Sequence, residues 1–292
     1  MNNSYVLITT ARNEEAYIEK TIQSVIRETI LPKKWVIVSD GSTDRTDEIV
    51  KRYEAKYDFI QFVRVYPDPN RNFGSKIRAF NAGHDHLTNV RYDFIGNLDA
   101  DVSFGPNYCQ RILEEFEKNP KLGIGGGIIL EPYRKGLRKQ FTNLASVAGA
   151  VQMFRRQCYE DIGGYTPLEI GGVDALGEVM ARMHGWEVRS FPNAEVFHHR
   201  ATGTAKGGIL SARFRQGVME YSHGYHPLFE LAKCVFRVRE RPYLFGSCFR
   251  LSGYTWAFLR RVQREVPEHV VKFLRREQME RLYNVISNKK IQ

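Results

Sequence analysis

The 292-residue chain is 42% hydrophobic, 26% charged and 12% aromatic, which is typical of a folded globular protein and excludes a disordered, collagen-like or small disulfide-stapled chain. No apolar run reaches the roughly 18 residues of a membrane-spanning helix, and we expect no secretory signal at the N-terminus. The net charge of +10 lies in residues 206–292, where 17 Lys and Arg outnumber 7 Asp and Glu, while residues 1–205 carry 26 of each. This distribution predicts a neutral body followed by a basic region.

The first 130 residues alternate between strand-like and helix-like segments. Apolar runs rich in β-branched residues predict strands at Tyr5–Thr10, Trp35–Ser39, Ile60–Val65, Tyr92–Leu98 and Gly123–Leu130. Segments with helical periodicity lie between them at Glu14–Thr29, Asp44–Tyr57, Ser75–Leu87 and Pro106–Lys118. This alternation favours an α/β fold with a mostly parallel central sheet flanked by helices, which binds ligands at the carboxyl ends of its strands.

The pattern changes after Leu130. The sequence then predicts a loop around Pro132 and Gly136, an apolar run at Ala148–Phe154, a helix over Asp174–His184 and two short strands at Glu187–Phe191 and Ala194–His198. From Gly207 onward the pattern is helical and rich in arginine and aromatic residues.

Four cysteines, at Cys109, Cys158, Cys234 and Cys248, show no C-x-x-C spacing. We expect reduced, mostly buried thiols in a cytoplasmic protein, in preference to disulfides or metal ligands.

A carboxylate, Asp40, ends the second predicted strand. The following Gly41 allows a ligand to approach the backbone, and the carboxylate can accept hydrogen bonds from ribose hydroxyls or a base imide. The next residues also fit a simpler interpretation, because Thr43 or Asp44 is suited to cap the helix that follows.

Two further carboxylates, Asp99 and Asp101, follow the fourth predicted strand. Like charges this close together are costly unless a divalent cation neutralises them, and such a cation would also bind nucleotide phosphates. A solvated loop is the alternative, because D-x-D triplets are frequent. The position at a strand end favours a metal site.

Taken together, four motifs make residues 4–200 resemble the family 2 glycosyltransferases, which have the GT-A fold. The motifs are Thr10-Ala11-Arg12-Asn13-Glu14, Ser39-Asp40-Gly41-Ser42-Thr43-Asp44-Arg45-Thr46, the segment Gly74–Gly83 with Lys76 and Arg78, and Asp99-Ala100-Asp101. The chain departs from the family at Ser39, where the first of two aspartates is usual.

The resemblance implies roles for individual residues. The nucleotide is expected to contact Thr10, Ala11, Glu14, Asp40, Lys76, Arg78, Asp99 and Ala100, and Mg²⁺ or Mn²⁺ is expected at Asp99, Asp101 and His198. Because side chains alternate along a strand, only one of His198 and His199 should face the site, and a structural role for His198 is the alternative.

The family's catalytic base falls at Asp174 when counted back from Gly185-Trp186. The surrounding motif is incomplete, since Val173 and Leu176 replace acidic residues. Glu178 and Glu169 are the substitutes nearby, and Asp174 could instead serve only as a helix N-cap.

The resemblance implies an inverting, metal-dependent transfer of a sugar from a UDP-, GDP- or dTDP-linked donor to a hydroxyl acceptor. Together with the charge distribution, it predicts a GT-A domain over residues 1–205, with a nucleotide-binding half (1–104) and an acceptor half (105–205), and a basic helical region over 206–292. Two alternatives remain: a sugar nucleotidyltransferase of the same fold, and a family member that binds a nucleotide or lipid without turnover.

The basic region, residues 206–292, interleaves arginines with aromatic residues. Interfacial helices have this composition, so we expect attachment to the anionic inner face of the cell membrane, with a glycan or polyprenyl-linked acceptor. A solvated helical subdomain is the alternative. No recognised nucleic-acid motif accompanies the charge, so no nucleic-acid partner is expected.

Overall fold

The computed structural model describes residues 3–66, 74–133, 136–140, 143–200, 208–239 and 242–287. The chain divides into two compact units. The first consists of Met1–Pro167 and Val173–Ala201, and the second of Leu168–Gly172 and Thr202–Gln292. The boundary predicted between residues 205 and 206 lies outside the described residues.

The described residues of the first unit form one nine-stranded sheet with helices packed against it. The strands are β1 (Tyr5–Ala11), β2 (Lys34–Asp40), β3 (Ile60–Val65), β4 (Phe94–Asn97), β5 (Val102–Phe104), β6 (Leu122–Tyr133), β7 (Gly136–Lys139), β8 (Met153–Arg155) and β9 (Glu187–His198). The helices are α1 (Ile18–Ile26), α2 (Thr46–Glu54), α3 (Gly74–Asp85), α4 (Tyr108–Lys118), α5 (Arg156–Asp161) and α6 (Val173–Met183). The strand order is β3-β2-β1-β4-β8-β6-β9-β5, and β7 pairs with β6.

The parallel part of the sheet is the block β3-β2-β1-β4. Beyond it, β8 runs antiparallel to both β4 and β6, β9 runs parallel to β6, and β5 runs antiparallel to β9. The mostly parallel character predicted for the sheet therefore belongs to its N-terminal half. There the carboxyl ends of β1, β2 and β4 meet at one edge.

Helix α1 connects the core to the segment that follows β4. Ile18, Ile22 and Val25 recur at helical spacing and are fully buried against the sheet. Thr21 lies on the same face, and its hydroxyl is 2.9 Å from the carbonyl oxygen of Ala100 and 2.7 Å from that of Val102. A core helix thus fixes the backbone of the D-x-D segment.

Several elements differ from their sequence-based predictions. The two strands predicted at Glu187–Phe191 and Ala194–His198 are one strand, β9, whose register against β6 shifts between Gly127 and Ile128. This irregularity accommodates Pro192, which cannot donate a ladder hydrogen bond. Strand β6 extends past the predicted end at Leu130 and forms a hairpin with β7 where a loop was predicted. All four cysteines are free, and Cys248 is the exposed one.

The second unit is helical in its described residues, with α7 (Ile209–Ser222), α8 (Pro227–Phe236), α9 (Leu244–Leu259) and α10 (Glu268–Ile286). Among these residues, none of the helices has the length and apolar character to cross a membrane.

Helices α7 and α9 approach each other closely at Gly217 and Gly253. A Cβ atom on Gly217 would lie 1.9 Å from the carbonyl oxygen of Arg250.

The glycine crossing predicts that Gly253→Ala destabilises the chain. The added Cβ would lie 2.1 Å from the Phe214 carbonyl oxygen, so α7 would have to move away. We expect the free energy of unfolding in urea to fall by about 1–3 kcal/mol, the usual range for overpacking. Ser252→Ala is the matched control, because Ser252 is exposed on the same helix and should change stability by about 0.5 kcal/mol or less. Equal effects of the two variants would contradict this account of the crossing.

Candidate functional site

The segment after β1 folds onto the loop after β2. Asn13 has φ +54°, a left-handed conformation that asparagine tolerates better than most residues. Its backbone N–H donates to Ser42 Oγ (3.2 Å), and its side-chain Oδ1 accepts from the Thr43 N–H (2.8 Å). The Glu14 N–H donates to Thr46 Oγ1 (2.8 Å). These bonds place Glu14 beside the ends of the parallel strands.

Two residues of the second motif have structural contacts. Asp44 accepts hydrogen bonds from the Thr46 N–H (3.0 Å) and the Glu15 N–H (3.0 Å). The N-cap position of α2 is occupied by Arg45, which makes no side-chain cap hydrogen bond, so neither Thr43 nor Asp44 is the N-cap residue. Ser39 Oγ accepts from the Ser42 N–H at 3.3 Å. The serine that departs from the family pattern therefore helps to shape the loop.

The predicted nucleoside contacts lie at adjacent strand ends. In the β1–β2 register, Thr10 pairs with Val38 and Ala11 with Ser39, next to Asp40. The Asp40 side chain is only 9% exposed, and Arg12 Nη1 is 3.6 Å from its Oδ2. Among the described residues, the buried Thr10 hydroxyl has no hydrogen-bond partner.

The two carboxylates of the D-x-D segment have basic partners from distant parts of the chain. Asp99 Oδ1 is 2.5 Å from Lys76 Nζ on α3. Asp101 Oδ1 is 3.1 Å from His198 Nε2 at the end of β9, and Asp101 Oδ2 is 3.5 Å from Arg200 Nε. Arg200 also pairs with the carboxylate of Glu14.

A candidate metal site results from this arrangement. One ligand atom from each of Asp99, Asp101 and His198 lies within 4.8 Å of the others. Carboxylate oxygens and an imidazole nitrogen suit a divalent ion such as Mn²⁺. The adjacent His199 has different partners, since its ring stacks on Tyr17 and its Nε2 lies 2.9 Å from Ser103 Oγ.

The clustered charges change the pKa values of the site. Burial raises the pKa of Glu14 to about 7, and the nearby Asp101 carboxylate adds to this increase against the opposing effect of Arg200. Burial alone would lower the pKa of His198, but its hydrogen bond to Asp101 raises it overall. Burial likewise opposes the charged form of Lys76, yet Asp99 and the other carboxylates raise its pKa. The site therefore stabilises positive charge.

Asp174 lies in the first turn of α6, as the second residue of the helix, and packs against Gly149. A Cβ atom on Gly149 would lie 2.6 Å from Asp174 Oδ2, so this glycine leaves room for the carboxylate. The Asp174 carboxylate also contributes, after Asp99, to the raised pKa of Lys76.

The substitutes for Asp174 occupy other surroundings. Glu178 is 5% exposed, and its Oε1 accepts hydrogen bonds from the Val147 N–H (2.7 Å) and Ser146 Oγ (3.0 Å). Burial raises its pKa to about 7. Glu178 thus fixes a buried turn, while Glu169 is exposed in the second unit.

Several residues of the site were not assigned from the sequence. Arg12 pairs with Asp40, and Arg200 pairs with Asp101. In the sequence, the only sign of these roles is that both arginines lie close to residues of the predicted site. Gln152 is fully buried and accepts a hydrogen bond from Tyr165, while its own N–H groups lie near the Asp174 carbonyl (3.4 Å) and Glu178 Oε1 (3.3 Å). Arg78, which was predicted at the base or phosphates, donates a hydrogen bond to Ser75 Oγ (2.9 Å).

Comparison with known proteins identifies relatives of this chain. Residues 6–166, more than half of the chain, match the family described as glycosyl transferase family 2. The poly-β-1,6-N-acetyl-D-glucosamine synthase of Staphylococcus epidermidis is 29% identical over 201 residues, which cover 62% of this chain and 46% of the synthase. The chain therefore spans about half the length of this curated relative.

Two solved structures show the same fold at low sequence identity. The mannosyltransferase PcManGT of Pyrobaculum calidifontis, in complex with GDP-Man and Mn²⁺, has a TM-score of 0.57 at 14% identity, covering 97% of this chain and 82% of that one. TarS of S. aureus, in complex with UDP-GlcNAc, has a TM-score of 0.55 at 13% identity, covering 89% and 74%. The predicted GT-A fold is confirmed.

The buried Glu178 predicts a pH dependence of stability. Its folded pKa of about 7 exceeds the ordinary 4.5, so between these values the native state binds more protons and stability falls as pH rises. Glu178→Gln should remove this contribution, which is at most about 1.4 kcal/mol per pH unit. Urea unfolding across this pH window measures it. Glu160→Gln is the control, because Glu160 is exposed, and it should leave the dependence of stability on pH unchanged. If Glu178→Gln also leaves that dependence unchanged, the raised pKa of Glu178 is contradicted.

Proposed function

The chain belongs to glycosyl transferase family 2, as its four motifs predicted, and we propose that it is a metal-dependent, inverting glycosyltransferase. It would transfer a sugar from a nucleoside diphosphate donor to a hydroxyl acceptor. The observation that carries the proposal is the convergence of Asp99, Asp101 and His198 within 4.8 Å, next to Lys76 and at the carboxyl ends of parallel strands.

The donor diphosphate would bind beside these residues. Asp99, Asp101 and His198 fit Mg²⁺ or Mn²⁺, and when bound such an ion stabilises the negative charge of the departing diphosphate. Lys76, whose ammonium group already lies 2.5 Å from Asp99 Oδ1, would contact a phosphate oxygen. The GDP-Man and Mn²⁺ in the structure of the mannosyltransferase support this assignment.

The nucleoside would occupy the ends of β1 and β2. Asp40 would accept hydrogen bonds from the ribose or base, and the buried Thr10 hydroxyl, which lacks a partner among the described residues, would gain one. Ala11 and Ala100 would contact the nucleoside through their small side chains or backbone, and Arg78 would lie near the base. Glu14 and Arg200 would close this end of the site. The donor would be UDP-, GDP- or dTDP-linked.

The acceptor hydroxyl would lose its proton to Asp174 as it attacks the anomeric carbon. Asp174 combines a place in the same charge cluster with space created by Gly149, whereas Glu178 accepts hydrogen bonds from a buried turn. One base and no covalent intermediate imply a single displacement, which inverts the anomeric centre.

We assign the acceptor to the class of glycans or polyprenyl-linked intermediates used at the inner face of the cell membrane. The similar synthase from Staphylococcus epidermidis, named for a polysaccharide, supports a glycan product. The excess of basic residues over 206–292 supports a peripheral position on an anionic membrane surface.

Replacement of Asp101 tests the metal-dependent donor site. In the wild type we expect one nucleoside diphosphate, in the presence of Mn²⁺, to raise the melting temperature according to RT ln(1 + [L]/Kd), and chelator to remove the shift. Asp101→Asn should abolish most of the shift because a ligand and its charge are lost. Asp58→Asn, at an exposed turn, should retain it. If Asp101→Asn still shows the full metal-dependent melting shift with the nucleotide, the proposed metal site is refuted. If the wild type shows no melting shift with any nucleotide, the alternative of a family member without turnover is favoured.

Replacement of Asp174 tests the base. Asp174→Asn keeps the shape of the side chain but cannot accept the proton, so transfer should fall by about 10²–10⁴-fold while donor binding is nearly unchanged. The measurement is product formation alongside the melting shift, with NMR coupling at the anomeric proton to report inversion. Glu178→Gln is the companion variant. If Glu178→Gln loses transfer but keeps the melting shift, and Asp174→Asn keeps transfer, Glu178 is the base.

A further inference from the structure

Helix α9 presents a largely apolar stripe at the surface of the second unit. The stripe consists of Phe245, Phe249, Ser252, Trp256 and Leu259, all of them exposed. They recur at helical spacing and therefore lie on one face over about four turns. Within α9, all of whose residues the structure describes, no exposed side chain is charged.

The polar member of the stripe, Ser252, is bonded inside the helix. Its hydroxyl donates to the carbonyl oxygen of Phe249 at 2.8 Å. An apolar environment costs such a serine little, because its O–H already has a partner. The hydrogen bonding of the stripe therefore does not depend on water.

The charged residue of α9, Arg250, points into the unit. It is 2% exposed, and its Nε lies 2.7 Å from Glu220 Oε2 and 3.0 Å from Glu230 Oε1. Helix α8 repeats this arrangement, since Glu230 is fully buried while Leu231 and Val235 are exposed. Both helices thus place charge inside and apolar side chains outside, the reverse of a helix that faces water.

Helix α10 of the same unit has the usual polarity at its N-terminal half. Val270, Val271 and Leu274 are buried there, and Lys272 and Arg276 are exposed. The reversed polarity is therefore specific to α8 and α9 and does not extend to the whole unit. Exposed hydrophobic surface of this kind marks a face that meets an apolar partner.

The charge of the region favours a membrane over a second copy of the chain as this partner. Residues 206–292 carry 17 Lys and Arg against 7 Asp and Glu, so two copies that met through this region would repel each other. Anionic headgroups attract the same charge. Arg260 and Arg261, both exposed, follow the stripe in the chain, and long basic side chains in such a place reach headgroups from an apolar surface.

The length of α9 fits a helix that lies along the membrane surface. Its 16 residues rise about 24 Å, less than the roughly 30 Å of the hydrocarbon core. Trp256 suits the same location, because tryptophan is enriched where the membrane meets water. A helix in this position places its apolar face about 5–10 Å into the boundary between headgroups and acyl chains.

We infer that α9 inserts its apolar stripe into the lipid bilayer, so that hydrocarbon contact holds the second unit at the membrane in addition to charge. The inference rests on the proposed membrane attachment and adds to it the surface that enters the bilayer. It uses no residue of the D-x-D site.

The fluorescence of Trp256 tests insertion. The chain has two other tryptophans, Trp35 and Trp186, and both belong to the first unit. Vesicles of phosphatidylcholine and phosphatidylglycerol with brominated acyl chains should quench the wild type, because bromine quenches a tryptophan that it contacts. Trp256→Phe should bind these vesicles and lose most of the quenching. In about 1 M NaCl, where the screening length is about 3 Å, the bound wild type should remain quenched.

A matched pair of leucine substitutions measures the contribution of this face to binding. Leu244→Ser with Leu259→Ser alters the two ends of α9, where the leucines are 56% and 73% exposed. Leu31→Ser with Leu137→Ser makes the same change at exposed leucines of the first unit. In cosedimentation with the same vesicles, the α9 pair should bind at least about tenfold more weakly than the control pair, because burial of even one leucine corresponds to about tenfold in affinity. The single variants repeat the comparison if the α9 pair melts below the wild type.

Three results would overturn the inference. Vesicle binding without quenching, lost in high salt, would show attachment by charge alone and would leave the proposed attachment intact. Equal losses in the two leucine pairs would show that α9 stays outside the bilayer. Absence of vesicle binding would also refute insertion, and dimerisation that only the α9 pair abolishes would then identify a second copy as the partner. Metal-dependent nucleotide binding by the wild type, measured separately, distinguishes failure here from failure of the proposed transfer.

Discussion

The repulsion between Asp99 and Asp101 is the constraint on which the site depends. Both carboxylates follow a buried strand, and Glu14 adds a third carboxylate nearby, so the folded chain must supply positive charge. It does so from two distant segments of the chain, with Lys76 on α3 in one and His198 and Arg200 at the end of β9 in the other. These cations lower the repulsion while leaving two carboxylates and an imidazole within 4.8 Å of one another, which is a suitable set of ligands for a divalent ion.

The backbone beneath this cluster is rigid because its polar groups are bonded on both sides. The Asp99 N–H donates to the Ala150 carbonyl (2.9 Å), and the Asn97 N–H donates to the Gln152 carbonyl (2.8 Å). The Gln152 side chain in turn contacts Glu178, which binds the turn at Val147. A buried network with satisfied partners of this kind maintains the geometry of the groups above it. Glu178 therefore contributes to the site by supporting its backbone.

The sequence predicted those parts of the site that follow regular strands. Asp40 and Asp99 end apolar runs, and parallel strands bring their carboxyl ends together, so a local pattern was sufficient. Arg200 pairs with Glu14 and Asp101, which lie far from it in the chain. No periodic pattern in the sequence indicates such a contact, so it could not be predicted. The burial of Glu178 was equally hidden, because it depends on an irregular turn at residues 146–152. The β6–β7 hairpin was missed because a proline and a glycine in the segment favour a loop.

Burial of charge serves different ends in the two units. In the first unit, the carboxylates of the site are paired with the partly exposed cations Lys76 and Arg200. In the second, Glu220 and Arg250 are each 2% exposed, where desolvation offsets much of the attraction between them. Such a pair adds little to stability, but it fixes the orientation of the Arg250 side chain. A flexible arginine at the surface has no such fixed orientation. Because Glu220, Glu230, Lys233 and Arg250 sum to zero, the +10 excess of residues 206–292 belongs to the remaining side chains of that region. The buried cluster thus fixes the position of Arg250 without adding to the net charge of the region.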